Sequence, residues 1–342
     1  MIFMQTENKS RIGVLGAGTW GMALARMLCL DGHEVTVWSA LEKEVTEFSA
    51  SRRHPNLPGM VIPDEIRFTA DLEEVCGGRD LLLFAVPSVF VRSTAKAAAA
   101  YVPEGQLIAD AAKGIEPGTH LTMTGIIADE LGKAGKTARL AALSGPTHAE
   151  EVAKDMLTAI VSASKDPETA RTVQEIFMNR NMRVYTNDDV LGIELCGALK
   201  NVIALAAGIS TGAGNGDNAK AAIITRGIHE IGRLGSAMGC RRETFSGLAG
   251  IGDLIVTATS MHSRNNRCGL LIGQGMAPQE AIKEVGMVVE GVNALPAAME
   301  LSAQYGVEMP LAAAVDRIVT YGEDPARISE ELMTRTGKSE II

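Results

Sequence analysis

The hexapeptide Gly16-Ala17-Gly18-Thr19-Trp20-Gly21 limits the fold more than any other stretch of this chain. It follows a short apolar run, 11–15, and opens a segment of helical character, 20–31, which Gly32 closes as a C′ glycine. G-x-G-x-x-G between a strand and a helix is the fingerprint of a dinucleotide-binding βαβ unit. Gly16 permits the tight turn, Gly18 lets backbone approach a pyrophosphate, and Gly21 lets helix and strand pack closely. The helix N-terminus then offers free N–H groups and the positive end of its dipole to phosphate.

The rest of the first half continues the pattern. A second strand is expected at 34–38, and further strands at 66–69, 81–86, 107–110, 140–143, 158–163 and 182–185, with helical segments between several of them. Such alternation implies a mostly parallel, doubly wound α/β sheet of Rossmann type with helices on both faces. After about residue 187 strand-like runs nearly vanish, and Ala/Leu/Ile/Glu-rich helical segments follow. The expected organisation is a nucleotide-binding domain, 1–188, and an all-helical substrate-binding and catalytic domain, 189–342; this length suits two domains.

Bulk properties remove several classes of function. A net charge of −9 argues against a nucleic-acid partner, although a local basic pocket can still hold a small anion. The five cysteines form no CxxC pair and the six histidines no HxxxH pair, so no metal is expected. The first ten residues lack a basic start and a sustained apolar core, and the longest apolar run, 81–86, is far too short to span a bilayer. The expectation is a soluble cytoplasmic protein with no membrane span.

The adenosine end of the dinucleotide site departs from the common pattern. An acidic residue usually ends the second strand, about 20 residues beyond the glycines. Here that stretch reads Val37-Trp38-Ser39-Ala40. Ser39, or Arg52 and Arg53 from the following loop, are candidates for this end, and the choice between NAD and NADP stays open. Phe84-Ala-Val-Pro-Ser88 closes the fourth strand at the edge where a cofactor binds, with Phe84 read as a core residue.

An enzyme that reduces a ketone by hydride transfer must orient the carbonyl, protonate the developing alkoxide and hold the rest of the substrate. Lys200 is the first candidate proton carrier. Its segment, 193–205, is apolar or small on every face except at Glu194, Lys200 and Asn201, the mark of a buried helix. Burial pushes a lysine pKa down from about 10.4 toward the range of an acid/base catalyst. Lys113 follows the fifth strand at the carboxyl edge of the sheet and is placed to polarise substrate or touch cofactor. Asp253, in a small-residue stretch without other charge, is expected to pair with Lys200 or to cap a helix. Ser263-Arg264-Asn265-Asn266-Arg267 reads as a phosphate clamp, with Ser263 as N-cap and Arg264 and Asn265 on the first turn. His148 is set aside as structural.

At these residues the chain resembles the bacterial NAD(P)-dependent glycerol-3-phosphate dehydrogenases. The motifs that carry the resemblance are GAGTWG, HPNLPG, FAVPS, AAKGIE, LSGPTHAEEV, ELCGALKNVIALAAG, GDNAKAAIITRG, GLAGIGDLIVTATS, SRNNR and VVEGV, in order from Arg11 to about Pro310. The resemblance implies NAD or NADP as cofactor and a helical domain like that of 6-phosphogluconate dehydrogenases. It also implies reduction of dihydroxyacetone phosphate to glycerol 3-phosphate, a precursor of glycerophospholipids, and a homodimer. Lys200 would act at the carbonyl, with Lys113 and Asp253 catalytic beside it. Substrate contacts would fall on Lys113, Gly145, Thr147, Lys200, Asp253, Ser263, Arg264 and Asn265. Cofactor contacts would add Thr19, Trp20, His54, Lys113, Ala149, Arg264, Val288 and Glu290 to the three glycines. His54 stands where the family usually has Tyr. Two rivals stay in view, a β-hydroxyacid or 6-phosphogluconate type of dehydrogenase and a non-catalytic dinucleotide sensor.

Overall fold

The computed structural model describes residues 9–337, 339 and 340. The stretch 1–8, most of the segment read for a leader, lies outside them. The sheet-forming part runs β1 (Arg11–Leu15), α1 (Thr19–Leu30), β2 (Glu34–Trp38), α2 (Glu42–Ser51), β3 (Arg67–Thr69), α3 (Leu72–Cys76), β4 (Leu81–Phe84), α4 (Ser88–Ala98) and β5 (Gln106–Asp110). It continues with α5 (Met123–Lys133), β6 (Ala138–Ser144), α6 (Ala149–Val152), β7 (Thr158–Ala163), α7 (Pro167–Phe177) and β8 (Met182–Asn187). The helical part comprises α8 (Val190–Gly212), α9 (Asp217–Ala237), α10 (Arg242–Phe245), α11 (Asp253–Thr259), α12 (Arg264–Gly273), α13 (Pro278–Val285), α14 (Glu290–Tyr305), α15 (Pro310–Val319) and α16 (Pro325–Met333), with a π-helical turn at Leu248–Gly252.

The eight strands lie in the order β3-β2-β1-β4-β5-β6-β7-β8. All neighbours are parallel except β6 and β7. Between β6 and β7 the chain forms only the four-residue α6, and the two strands run antiparallel. The four residues of β4 and the five of β5 are buried throughout, as strands covered on both faces must be. β4 ends at Phe84, two residues earlier than its apolar run suggests, because Val86 and Pro87 leave the sheet to line a cleft. Phe84 is a core residue, 1% exposed. The chain leaves β1 toward β2 on one side, and β4 sits on the other, so the strand order switches beside β1 and opens a crevice at the carboxyl ends.

The second half is organised by α8. Asp189 caps it, accepting from the Gly192 N–H at 3.0 Å. Residues 192–210 are all buried, so the helix is the core of its domain. Among the described residues α8 is the one helix long and apolar enough to cross a membrane, and most of it is covered by other helices. α12 lies against it through glycines. A Cβ at Gly208 would stand 2.2 Å from the Asn266 carbonyl oxygen, and one at Gly269 would stand 2.2 Å from that of Leu205. Larger residues would hold the helices apart, so this contact sets how close the start of α12 comes to Lys200. Polar contacts join the halves away from the cleft floor as well. Ser88 donates to Glu290 from its N–H at 3.0 Å and its hydroxyl at 2.5 Å, and His120 meets Glu300 at 2.8 Å.

Candidate active site

A cleft of about 720 Å3 opens between the carboxyl edge of the sheet and the helical half. On the sheet side it is lined by Gly18, Thr19, Trp20, Asn56, Val86, Pro87, Lys113, Thr147 and Ala149. On the helical side Lys200, Asn201, Thr257, Ser263, Arg264, Asn265, Arg267, Val288 and Glu290 line it.

The glycine loop fits a dinucleotide. Gly16 has φ +121°, and a Cβ there would stand 2.8 Å from the Ala85 backbone, so a side chain is excluded. A Cβ at Gly18 would meet nothing within 4 Å, which leaves open space for a phosphate against the backbone. At Gly21 a Cβ would press on the Gly16 carbonyl. No side chain caps the start of α1 and no acidic residue stands in its first turn, so its N–H groups face the cleft unneutralised. His54 sits behind the loop and not on the cleft wall. It is buried, stacks on Phe48 at 5.3 Å between ring centres, accepts from the Asn56 N–H at 3.2 Å and hydrogen-bonds the Ala17 backbone. Burial holds its pKa below the ordinary histidine value. Its neighbour Asn56 reaches the cleft instead.

The floor of the cleft holds a row of three charges. Lys200 Nζ donates to Asp253 Oδ1 at 2.5 Å and to Thr257 Oγ1 at 2.7 Å. Lys113 Nζ donates to the other oxygen, Asp253 Oδ2, at 2.7 Å. Asp253 opens α11 and is 1% exposed, so one buried carboxylate lies between two ammonium groups. Burial pushes Lys200 down to about 7, and nearby Lys113 pushes the same way; Asp253 opposes both. Burial alone would raise the Asp253 carboxyl, but Lys113 and Lys200 outweigh it and hold it below the usual carboxylate value. Gly145 and Thr147 steady Lys113, which donates to the Gly145 carbonyl at 3.2 Å and to Thr147 Oγ1 at 3.4 Å. Glu194, the other charge on the α8 segment, faces away and accepts from Thr122 and Thr124.

Above the floor stands the start of α12. Ser263 caps it by accepting from the Asn266 N–H at 3.2 Å. Arg264 is its first residue and lines the cleft; burial lowers its pKa from the ordinary value, while Glu290 and Glu150 act against that. Asn265 does something else with its side chain. Its amide donates to Asn201 Oδ1 at 3.0 Å and its oxygen accepts from the Gly291 N–H at 2.8 Å, so it pins α8, α12 and α14 together. Two parts of the site escaped the sequence reading. Thr257 has the visible signal of standing four residues after Asp253 on one helix face, and Asn201 that of following Lys200.

Family models cover nearly the whole chain. The N-terminal model of NAD-dependent glycerol-3-phosphate dehydrogenase matches residues 11–170, and the C-terminal model matches 189–330. The chain belongs to the NAD(P)-dependent glycerol-3-phosphate dehydrogenases. It is 64% identical over 334 residues to glycerol-3-phosphate dehydrogenase (NAD(P)+) 2 of Lactobacillus delbrueckii subsp. bulgaricus, covering 97% of this chain and 99% of that one. Identity to the Agathobacter rectalis glycerol-3-phosphate dehydrogenase (NAD(P)+) is 48%, covering 97% and 98% of the two chains. The crystal structure of glycerol-3-phosphate dehydrogenase from Coxiella burnetii superposes with a TM-score of 0.91 at 38% identity, over 96% of this chain and 99% of that one. The Rossmann-type sheet with an all-helical second half is thus the family fold.

Within this dehydrogenase the adenosine end is built differently from the three candidates named by sequence. The Arg52 guanidinium donates to the carbonyls of Ile66 at 2.8 Å and Pro63 at 3.4 Å and lies over the Phe68 ring, so it braces its own loop. Arg53 is exposed. Ser39 is buried and its hydroxyl donates to Glu44.

Proposed function

We propose that this chain interconverts dihydroxyacetone phosphate and glycerol 3-phosphate with NAD(H) or NADP(H), and that Lys200 carries the proton. The carrying observation is the row Lys200–Asp253–Lys113 at the floor of a cleft whose other wall is the glycine loop. When bound, the nicotinamide supplies the hydride for reduction and takes it back in oxidation.

The chain's own residues supply the rest. The Lys200 ammonium donates a proton to the ketone oxygen as hydride reaches the carbon, so C=O becomes CH–OH; in reverse its neutral amine accepts the hydroxyl proton. Lys113 adds a second positive charge where the alkoxide develops. Asp253 keeps both amines in place and is the positioning residue of the row. Arg264 and the first-turn N–H groups of α12 hold the phosphate, with Ser263 ordering that turn and Asn265 fixing it to α8. Gly145 and Thr147 act through Lys113 and at the substrate. Gly18, Thr19, Trp20, Ala149, Val288 and Glu290 contact the cofactor, with Gly16, Gly21 and His54 shaping the loop beneath it.

The family and five unpaired cysteines support a reducing, cytoplasmic setting. The product would feed glycerophospholipid synthesis. The homodimer rests on family likeness, and sedimentation as a monomer would remove it.

The pH dependence tests Lys200. The amine is protonated below about 7, so reduction should lose kcat/KM as pH rises through that value, and oxidation should gain it. Profiles flat between pH 6 and pH 9 in both directions would take Lys200 out of proton transfer.

A further inference from the structure

The carboxyl end of β2 lacks the acidic residue that usually meets the adenosine ribose, yet a carboxylate stands there. Trp38 ends β2, and its carbonyl accepts from the Gly16 N–H at 3.0 Å, tying the strand end to the glycine loop. The next residue, Ser39, is 5% exposed; its hydroxyl accepts from the Leu41 N–H at 3.1 Å and donates to Glu44 Oε2 at 2.6 Å. Glu44 lies in the first turn of α2, where the dipole favours negative charge. Its N–H donates to the Leu41 carbonyl at 2.9 Å, which fixes the turn. From there its charge acts on His54, the residue bonded to Ala17 of the glycine loop. One oxygen is held by Ser39, so Glu44 is fixed at the end of β2, with its other oxygen left as an acceptor. Arg52, from the loop after α2, is committed to the carbonyls of Pro63 and Ile66.

We propose that Glu44 selects the cofactor at its adenosine end: its carboxylate, oriented by Ser39, accepts the ribose 2′-hydroxyl of NAD(H) and repels the 2′-phosphate of NADP(H). The role that other chains give to the last residue of the strand is here filled from the following helix. This rests on the dinucleotide lying along the glycine loop. A carboxylate and a phosphate cannot share that position without a cation between them, whereas a hydroxyl donates to the carboxylate directly.

Fluorescence titration of the full chain with NADH and NADPH, without substrate, reads the preference directly. NADH should bind at least about ten-fold more tightly than NADPH. In Glu44→Gln, which keeps an oxygen for Ser39, the ratio should fall by about ten-fold, mainly through tighter NADPH. Ser39→Ala, which frees the carboxylate, should weaken the preference less. Thermal protection by ADP and by adenosine 2′,5′-bisphosphate should follow the same order, and melting of each free variant reports its folding. Equal affinities in the unaltered chain, or a ratio unchanged in a folded Glu44→Gln, would overturn the assignment. If neither dinucleotide bound, the placement of cofactor on the glycine loop would fall, and this selectivity with it.

Discussion

The two walls of the cleft are made of different materials. The sheet wall works mainly through backbone: a glycine turn, a bare helix start and the ends of strands. The helical wall works through side chains that an apolar core would reject, a lysine, an aspartate and an arginine, with Lys113 reaching across from the sheet side to the aspartate, each tolerable because of its partners or its position at the rim. The difference teaches where each kind of site tolerates change. Backbone recognition is damaged by adding atoms, and side-chain chemistry by removing them.

The largest expected effect comes from removing the buried ammonium of the helical wall. Lys200→Ala should lower kcat by about 10²- to 10⁴-fold, the range for loss of a positioned general acid. Asp253 keeps Lys113 as partner in that variant, so the fold should survive, and circular dichroism checks it. Turnover within a few-fold of the unaltered enzyme would break the contrast, because the side-chain wall would then contribute no chemistry.

Next comes the rim. Arg264→Ala should reduce kcat/KM for dihydroxyacetone phosphate by about 10- to 100-fold, since a hydrogen bond to a charged group is worth roughly 1.5–3 kcal/mol. The same substitution should scarcely alter the slow reaction of unphosphorylated dihydroxyacetone. Equal losses on both substrates would mean that Arg264 does not read the phosphate.

On the backbone wall the matching experiment adds atoms. Gly18→Val introduces a side chain into open space, so the melting temperature should change little. Cofactor affinity should fall by about ten-fold, because the pyrophosphate can no longer approach the N–H groups. Tight binding in this variant would show that the phosphates pass elsewhere.

The same contrast explains what the sequence revealed. Local patterns carried the sheet wall: the glycines stand within six residues, and the strand positions 11–15, 34–38 and 158–163 coincide with β1, β2 and β7. Lys200 was legible because a charge in an otherwise apolar helix is conspicuous in the sequence alone. Partnerships across the fold were not legible. Glu290 meets Ser88 across 202 residues, and Asn265 meets Asn201 across 64, so nothing in the SRNNR motif discloses that its first asparagine fastens helices. The antiparallel turn into β7 was hidden for a similar reason, since strand direction depends on the crossover and not on the strand's own residues. Glu44 was not legible because an acidic residue is expected at the end of β2, while this carboxylate arrives from α2.

The smallest effect tests whether the side-chain wall also tunes its lysine. Thr257 accepts from Lys200 Nζ and donates to the Asp253 carbonyl at 2.6 Å, so its hydroxyl stabilises the ammonium and not the amine. Thr257→Val removes that acceptor with little change of shape. The charged form of Lys200 then loses a partner, so its pKa should move further below about 7, and the midpoint of the reduction profile should shift to lower pH. At pH 6 the loss in kcat/KM should be only a few-fold, because Asp253 still holds the amine. At pH 8 it should be larger, since less of the enzyme is protonated. A uniform loss across the range would assign Thr257 to packing alone. A shift of the midpoint would show that a neutral hydroxyl, invisible to any count of charges, sets the pH at which this wall delivers its proton.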